Sequence, residues 1–293
     1  MWQREERRWE MKFINKKTHL QEGHTITDEY LNAECRVNED DGHFHYQNVD
    51  YDGSFRSSGA KGRMLRLALA NQDNYCCYCM RDLGMHDSMV TLEHVIPQKS
   101  TTKEFNSYVN LNVYPLTEGE VVRTRDFTGV QDPTLPPRPH TVSFENLTVS
   151  CDGTFPDRGP ASQCCNSKRG NRFVFPMFYI EGVENDIVYM ENGTIQIKES
   201  CAHAEDYRKM IRTANLNCRN LKYIRRLWYL FADIPYRDLE NCVNDENQRM
   251  EKLRQVLYLD NDMADQDNEI FNKFKRENYW RTFMMYHWFY RNS

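Results

Sequence analysis

Six of the ten cysteines of this 293-residue chain fall in two groups, Cys76, Cys77 and Cys79, then Cys151, Cys164 and Cys165. Cys76-Cys77-Tyr78-Cys79 contains a Cys-x-x-Cys, the short bite that lets two thiolates reach one tetrahedral zinc at about 2.3 Å from each sulfur. Cys151 and Cys165 complete a four-cysteine site. Cys76 and Cys79 have the standard spacing and leave Cys77 as a bystander. Cys165 immediately precedes Asn166 and is preferred to Cys164 on that ground. A site closed by four thiolates is structural, and Zn²⁺ there would tie together strands that a long insertion separates. The remaining cysteines, Cys35, Cys201, Cys218 and Cys242, are scattered and read as small buried apolar residues.

Between and beside the two groups lie the polar residues Glu93-His94, then Asn146 in Glu145-Asn146-Leu147, then Asn166 and Lys168 in Cys165-Asn166-Ser167-Lys168. A lone Glu-His is common; the order Cys-x-x-Cys, Glu-His-Val-Ile-Pro, Asn-Leu, Cys-Asn-x-Lys is not. Over residues 63–175 that order resembles the HNH endonuclease family. The resemblance implies an α+β fold with a zinc-stapled ββα-metal core, a β-hairpin and helix that clamp one divalent metal. It implies His94 as the general base that deprotonates water. Glu93 and Asn166 become ligands of a catalytic Mg²⁺ or Mn²⁺, Asn146 braces the loop that holds the histidine, and Lys168 contacts a phosphate. Two departures stand out: a long gap from Glu93-His94 to Asn146, with Asn110 or Asn112 as alternative braces, and a wide Cys151-to-Cys165 spacer.

The chemistry is coherent on physical grounds. Phosphodiester cleavage needs an activated water, a Lewis acid for the developing negative charge, and in-line geometry. A histidine with an unperturbed pKa of about 6.5 accepts a proton at neutral pH. Carboxylate and amide oxygens are hard ligands suited to Mg²⁺ or Mn²⁺. Zinc in sulfur and magnesium in oxygen would be separate sites with separate jobs. A looser resemblance, over residues 63–232, is to the HNH nucleases of Septu and retron-associated anti-phage systems. It is carried by YCCYCMRDLG, TLEHVIPQKS, CCNSKRG, Phe175-Pro176-Met177-Phe178, Glu191-Asn192-Gly193-Thr194-Ile195, and Ala214-Asn215-Leu216-Asn217 with Leu221 and Arg225-Arg226. It implies DNA cleavage beside an ABC-type ATPase partner. Cleavage of RNA, including transfer RNA, and a non-catalytic zinc-stapled scaffold are the competing readings.

These residues need elements to hold them. RMLRLALANQ, just before the first cysteines, is a run of good helix formers. MVTLEHVIP (89–97) is β-branched and apolar and ends in proline, as a strand would. Residues 101–142 form a long insertion with a proline-stiffened loop, DPTLPPRPH. SFENLTVSC resumes the fold, and CCNSKRGNRF is a turn opening a helix. After Pro176 an alternating stretch predicts a hairpin turning at Glu191-Asn192-Gly193, and from His203 the apolar stripe is helical. The aromatic tail YWRTFMMYHWFYRNS is expected to dock in the core, a partner interface being the alternative. Three regions follow: 1–62, a partner-contacting amino-terminal region; 63–175, the core with the zinc site; and 176–293, a hairpin followed by helices.

Forty per cent hydrophobic residues and 13% aromatics exclude a disordered chain. The longest apolar runs fall far short of the ~20 residues that span a bilayer, and charges fill the amino terminus where a signal peptide needs an apolar core. These features predict a soluble, cytoplasmic protein in which clustered cysteines bind metal rather than pair. The net charge of −5 argues against a broad basic surface for nucleic acid. Residues 63–172 carry equal numbers of basic and acidic side chains, so contact must be local or a partner must add positive surface.

Overall fold

The computed structural model describes residues 11–84, 89–125, 129–157, 159, 162–257 and 265–291; the charged stretch 1–10 lies outside them. The fold is mixed helix and sheet, with small sheets and a helical carboxy-terminal half. In chain order it begins with α1 (Leu20–Glu34), the single turn α2 (Ser54–Ser57) and α3 (Ala60–Asn71), which covers the run of helix formers. β1 (Val90–His94) follows, then the insertion, then β4 (Leu147–Cys151) and the short helix α5 (Cys165–Arg169).

The insertion is more ordered than its composition suggests. It holds α4 (Thr102–Val109), which starts at a capping box: the Thr101 hydroxyl accepts from the Glu104 amide, and the Glu104 carboxylate accepts from the Thr101 amide at 2.7 Å. Two short strands, β2 (Val121–Val122) and β3 (Arg138–Pro139), then pair in parallel, so the proline-rich loop returns to the body of the protein.

β1 and β4 form an antiparallel pair in which Val90 faces Cys151, Leu92 faces Val149 and His94 faces Leu147. At about 3.3 Å per residue the ladder is on the order of 13 Å long, with a cysteine at one end and His94 at the other. β4 is buried along its whole length because its outer edge is covered rather than left open. The Cys77 amide and the buried Gln72 side chain both donate to the Val149 carbonyl, while the Gln72 carbonyl oxygen accepts from the Val149 amide at 2.8 Å. At the start of β4 the buried Lys16 ammonium donates to the Leu147 carbonyl and lies 3.9 Å over the Phe144 ring.

Beyond α5 come α6 (Val183–Asp186) and a hairpin of β5 (Ile187–Tyr189) with β6 (Ile195–Ile197). It turns at the expected Gly193, whose φ of +79° and position against the Lys222 carbonyl leave no room for a Cβ. The helices α7 (Ala204–Thr213), α8 (Arg219–Leu230), α9 (Tyr236–Asn241), α10 (Glu246–Val256), α11 (Asp265–Phe274), α12 (Glu277–Met284) and α13 (Trp288–Arg291) complete the chain. The aromatic tail is core: Trp280, Phe283 and Tyr286 are fully buried, and Phe283 stacks on Trp228 at 4.2 Å. One continuous cluster of buried apolar side chains runs from Met11 to Phe289 and crosses both boundaries drawn from sequence. Among the described residues no helix is long and apolar enough to cross a membrane.

Candidate functional site

The sulfur end of the hairpin is built by three segments. The turn after α3 supplies Cys76 and Cys79, the last residue of β4 supplies Cys151, and the first residue of α5 supplies Cys165. All four are buried, and their sulfurs lie within 4.8 Å of one another. Cys76 and Cys165 are 3.9 Å apart and Cys79 and Cys151 3.7 Å. Four sulfurs at about 2.3 Å from a tetrahedral zinc stand about 3.8 Å apart, so the soft donor set and the spacing both fit Zn²⁺. The Cys151 amide also points at the Cys76 sulfur, at 3.3 Å. Burial opposes ionisation of Cys76 and Cys79, but hydrogen bonding among the sulfurs outweighs it. Cys76 is held at about 6 and Cys79 at about 5, and the same bonding holds Cys151 at about 6. Burial pushes Cys165 up instead. Hydrogen bonding among the packed sulfurs thus favours the thiolate form at Cys76, Cys79 and Cys151, the form in which a cysteine binds a metal.

Two local features make this geometry. Gly153, with φ +72°, sits where a Cβ would collide with the Cys164 carbonyl, and its own carbonyl accepts from the Cys164 amide at 3.0 Å. That contact closes the wide Cys151-to-Cys165 spacer into a loop. The carboxy-terminal half then seals the cluster: the Cys165 amide donates to the Ala214 carbonyl, the Asp82 amide to the Met285 carbonyl, and the Tyr286 hydroxyl lies 3.7 Å from the Cys79 sulfur. Cys77 and Cys164 are buried next to the four but are not among them.

The other end is organised around His94. A carbonyl oxygen can only accept, so the 2.8 Å contact of His94 Nε2 with the Thr141 carbonyl puts the ring proton on Nε2. Nδ1 keeps a lone pair and makes no hydrogen bond among the described residues. Burial, then the cations of Arg169 and Lys61, pull the His94 pKa down to about 4, against the Thr141 bond and Asp52. The imidazole is neutral at physiological pH, in the tautomer that presents Nδ1 as a base. The Tyr51 ring packs edge-on against it at 4.4 Å.

Asn146 is wholly buried and uses its side chain three times: its oxygen accepts from the Ile96 amide at 2.7 Å, and its amide donates to the carbonyls of Ile96 and His140. It thus pins the segment after His94 to the segment before Thr141, the two whose separation sets the Nε2 contact. Asn110 and Asn112, the alternative braces, lie at the end of α4 and just after it and make no such contacts among the described residues. His140, also buried, accepts at Nδ1 from the Thr124 amide and hydroxyl, and Thr124 reaches the Thr141 hydroxyl at 3.0 Å. The insertion therefore builds the floor on which His94 rests.

Glu93 corrects the expectation made for it. Successive residues of a strand point to opposite faces, and Glu93 turns into the core while His94 turns toward Tyr51 and Thr141. Its carboxylate accepts from Tyr78 at 2.9 Å, from Ser150 at 2.6 Å and from Arg169, all buried. Those bonds occupy both oxygens, so Glu93 is an anchor for Arg169 and not an open metal ligand. Arg169 also donates to the carbonyls of His94 and Val95 and so ties α5 to the end of β1. Asn166 lies one turn earlier on α5, half-buried, with no side-chain hydrogen bond among the described residues; Lys168 is half-buried on the same helix. Among the described residues, the four cysteines are the group of His, Cys, Asp and Glu atoms that converge as a metal site. Of the pair expected for Mg²⁺, Glu93 is engaged by Tyr78, Ser150 and Arg169.

Sequence reasoning missed Arg169, Thr141, Tyr51 and Gln72. Arg169 sits in a polar run, Ser167-Lys168-Arg169, and its burial rests on distant acceptors, Glu93, the His94 and Val95 carbonyls and the Tyr108 hydroxyl. No family model matches the chain, and no curated protein matches it.

Proposed function

We propose that this protein is a nuclease of the HNH type that hydrolyses phosphodiester bonds in nucleic acid, DNA before RNA. The observation that carries the reading is the state of His94: a neutral imidazole whose Nε2–H is fixed on the Thr141 carbonyl and whose Nδ1 has no partner among the described residues. A histidine so held is oriented as a base and needs no proton removed before it acts. Three arrangements support the reading: the antiparallel pair β1–β4 followed by α5, the Asn146 brace behind the histidine, and the four-cysteine cluster at the far end.

In this scheme Nδ1 takes a proton from a water as its oxygen bonds to phosphorus. The bond from phosphorus to the leaving sugar oxygen breaks, and that oxygen takes a proton from solvent. The imidazolium then returns its proton to water. A divalent metal such as Mg²⁺ or Mn²⁺ would supply charge neutralisation, while Glu93 is engaged by Arg169, Tyr78 and Ser150. Zn²⁺ in the cysteine cluster has a structural part only, since all four of its positions are thiolates.

The resemblance to Septu and retron-associated nucleases supports an anti-phage setting with an ABC-type ATPase partner. The net charge of −5 supports it too, because a partner would add the positive surface this chain lacks. A second reading, a zinc-stapled scaffold, draws on one observation, the engagement of Glu93 by Arg169.

Incubating the purified protein with plasmid DNA and with total RNA, with Mg²⁺, Mn²⁺ or chelator, tests the proposal beside His94→Ala. Cleavage that disappears in the variant is the expected result. Equal cleavage by the variant overturns the role of His94, and no cleavage of either substrate, with or without an added ATPase partner, favours the scaffold.

A further inference from the structure

Two cations act on His94, and they differ in what else they do. The guanidinium of Arg169 is saturated: it donates to Glu93, to the carbonyls of His94, Val95 and Arg172, and to the Tyr108 hydroxyl. It has no donor left for a ligand. Lys61, at the start of α3, lies with its ammonium 3.9 Å over the Tyr51 ring, and that ring is the one packed edge-on against His94 at 4.4 Å. The ammonium is therefore no farther from the His94 ring centre than those two steps together. Tyr51 itself is fixed, buried and donating to the Leu92 carbonyl at 3.2 Å.

The partner Lys61 has in the protein is weak. Its ion pair with Asp52 is 3.6 Å long and its side chain is 28% exposed, against 70% for Asp52. An exposed pair of this kind contributes little, so a phosphoryl oxygen can take the place of Asp52. A water on Nδ1, a phosphorus in line beyond it and a phosphoryl oxygen on an ammonium together span roughly 8–10 Å, from hydrogen bonds of about 3 Å and an attack distance of about 3–3.5 Å. The ammonium, at most those two ring steps from the His94 ring centre, is within reach of a phosphate so placed.

We propose that Lys61 binds a phosphoryl oxygen of the nucleic-acid backbone beside His94, displacing Asp52, so that the amino-terminal region completes the substrate site. The inference rests on the nuclease reading and adds a residue that the 63–175 core does not contain. It also gives the acidic chain a local positive contact where the chemistry needs one.

The test uses the full chain carrying His94→Ala, which leaves the substrate intact, and measures Kd for a fluorescent 30-base-pair DNA duplex across a series of NaCl concentrations. Lys61→Ala added to that background is expected to weaken binding several-fold and make the slope of log K against log salt shallower by about 0.9, the signature of one phosphate contact. Lys61→Arg is expected to restore both, and Asp52→Asn to tighten binding. In the protein with His94 intact, Lys61→Ala should raise KM for cleavage more than it lowers kcat. A folded Lys61→Ala protein with unchanged Kd and slope overturns the inference while leaving the nuclease reading in place, provided the protein with His94 intact cuts DNA. A protein that neither binds nor cuts nucleic acid overturns both.

Discussion

The two ends of the β1–β4 ladder show opposite chemistries about 13 Å apart. At one end four buried sulfurs face one another, the Cys151 amide points at the Cys76 sulfur, and segments of the carboxy-terminal half close over the top. At the other end one nitrogen is kept open while its ring is fixed by a carbonyl, an aromatic edge and a braced loop. On the proposed reading, the closed sulfur shell would hold zinc and stabilise the fold, and the oriented histidine would be the part that reacts. The same two strands serve both because the antiparallel register places Cys151 opposite Val90 and His94 opposite Leu147.

Changes at the sulfur end are expected to have the largest effect. Cys79→Ser or Cys165→Ser should lose zinc and most of the soluble yield, since structural zinc contributes apparent free energies of about 10–16 kcal/mol in small domains. Cys164→Ser and Cys77→Ser should keep a full complement of zinc by elemental analysis; loss of zinc in Cys164→Ser with retention in Cys165→Ser would reverse the ligand assignment. Next comes Arg169→Met, which strands the buried Glu93 carboxylate and is expected to cost about 3–5 kcal/mol in denaturant unfolding. Retention of stability but loss of cleavage in Glu93→Gln would instead return Glu93 to the chemistry.

At the histidine end the effects fall first on rate. His94→Ala should lower cleavage by about 10²–10⁴-fold with an unchanged melting temperature. Asn146→Ala should do both, slowing cleavage through a loosened Thr141 contact and destabilising by about 1–3 kcal/mol for the buried groups it leaves unpaired. The smallest effect is in pH. The base works in its neutral form, and His94 sits at about 4. Cleavage should therefore stay level from pH 8 down to about 5.5, where a histidine at the ordinary 6.5 would lose about tenfold. A tenfold fall over that range would show that burial and the cations of Arg169 and Lys61 do not hold the ring as described.

How much of this was legible in the sequence divides along the same ladder. The four cysteines, the strand around His94, the Asn146 brace, the hairpin at Gly193 and the burial of the aromatic tail follow from residue types at short spacing, where local chemistry decides. The capping box at Thr101–Glu104 is equally local and marks α4 inside what composition presents as a loop. Glu93 went astray because strand alternation sends neighbours to opposite faces, and which face is core depends on Tyr78, Ser150 and Arg169, up to 76 residues away. Thr141, Tyr51 and Gln72 act through long-range contacts of ordinary polar and aromatic residues, and nothing in their immediate neighbours marks them.

The most direct test of the two-ended hairpin measures zinc content and plasmid cleavage on the same preparations of the unsubstituted protein and His94→Ala. One zinc per chain is expected in both, with cleavage in the first and cleavage slowed about 10²–10⁴-fold in the second. Cleavage by His94→Ala at the same rate, with zinc unchanged, would contradict it.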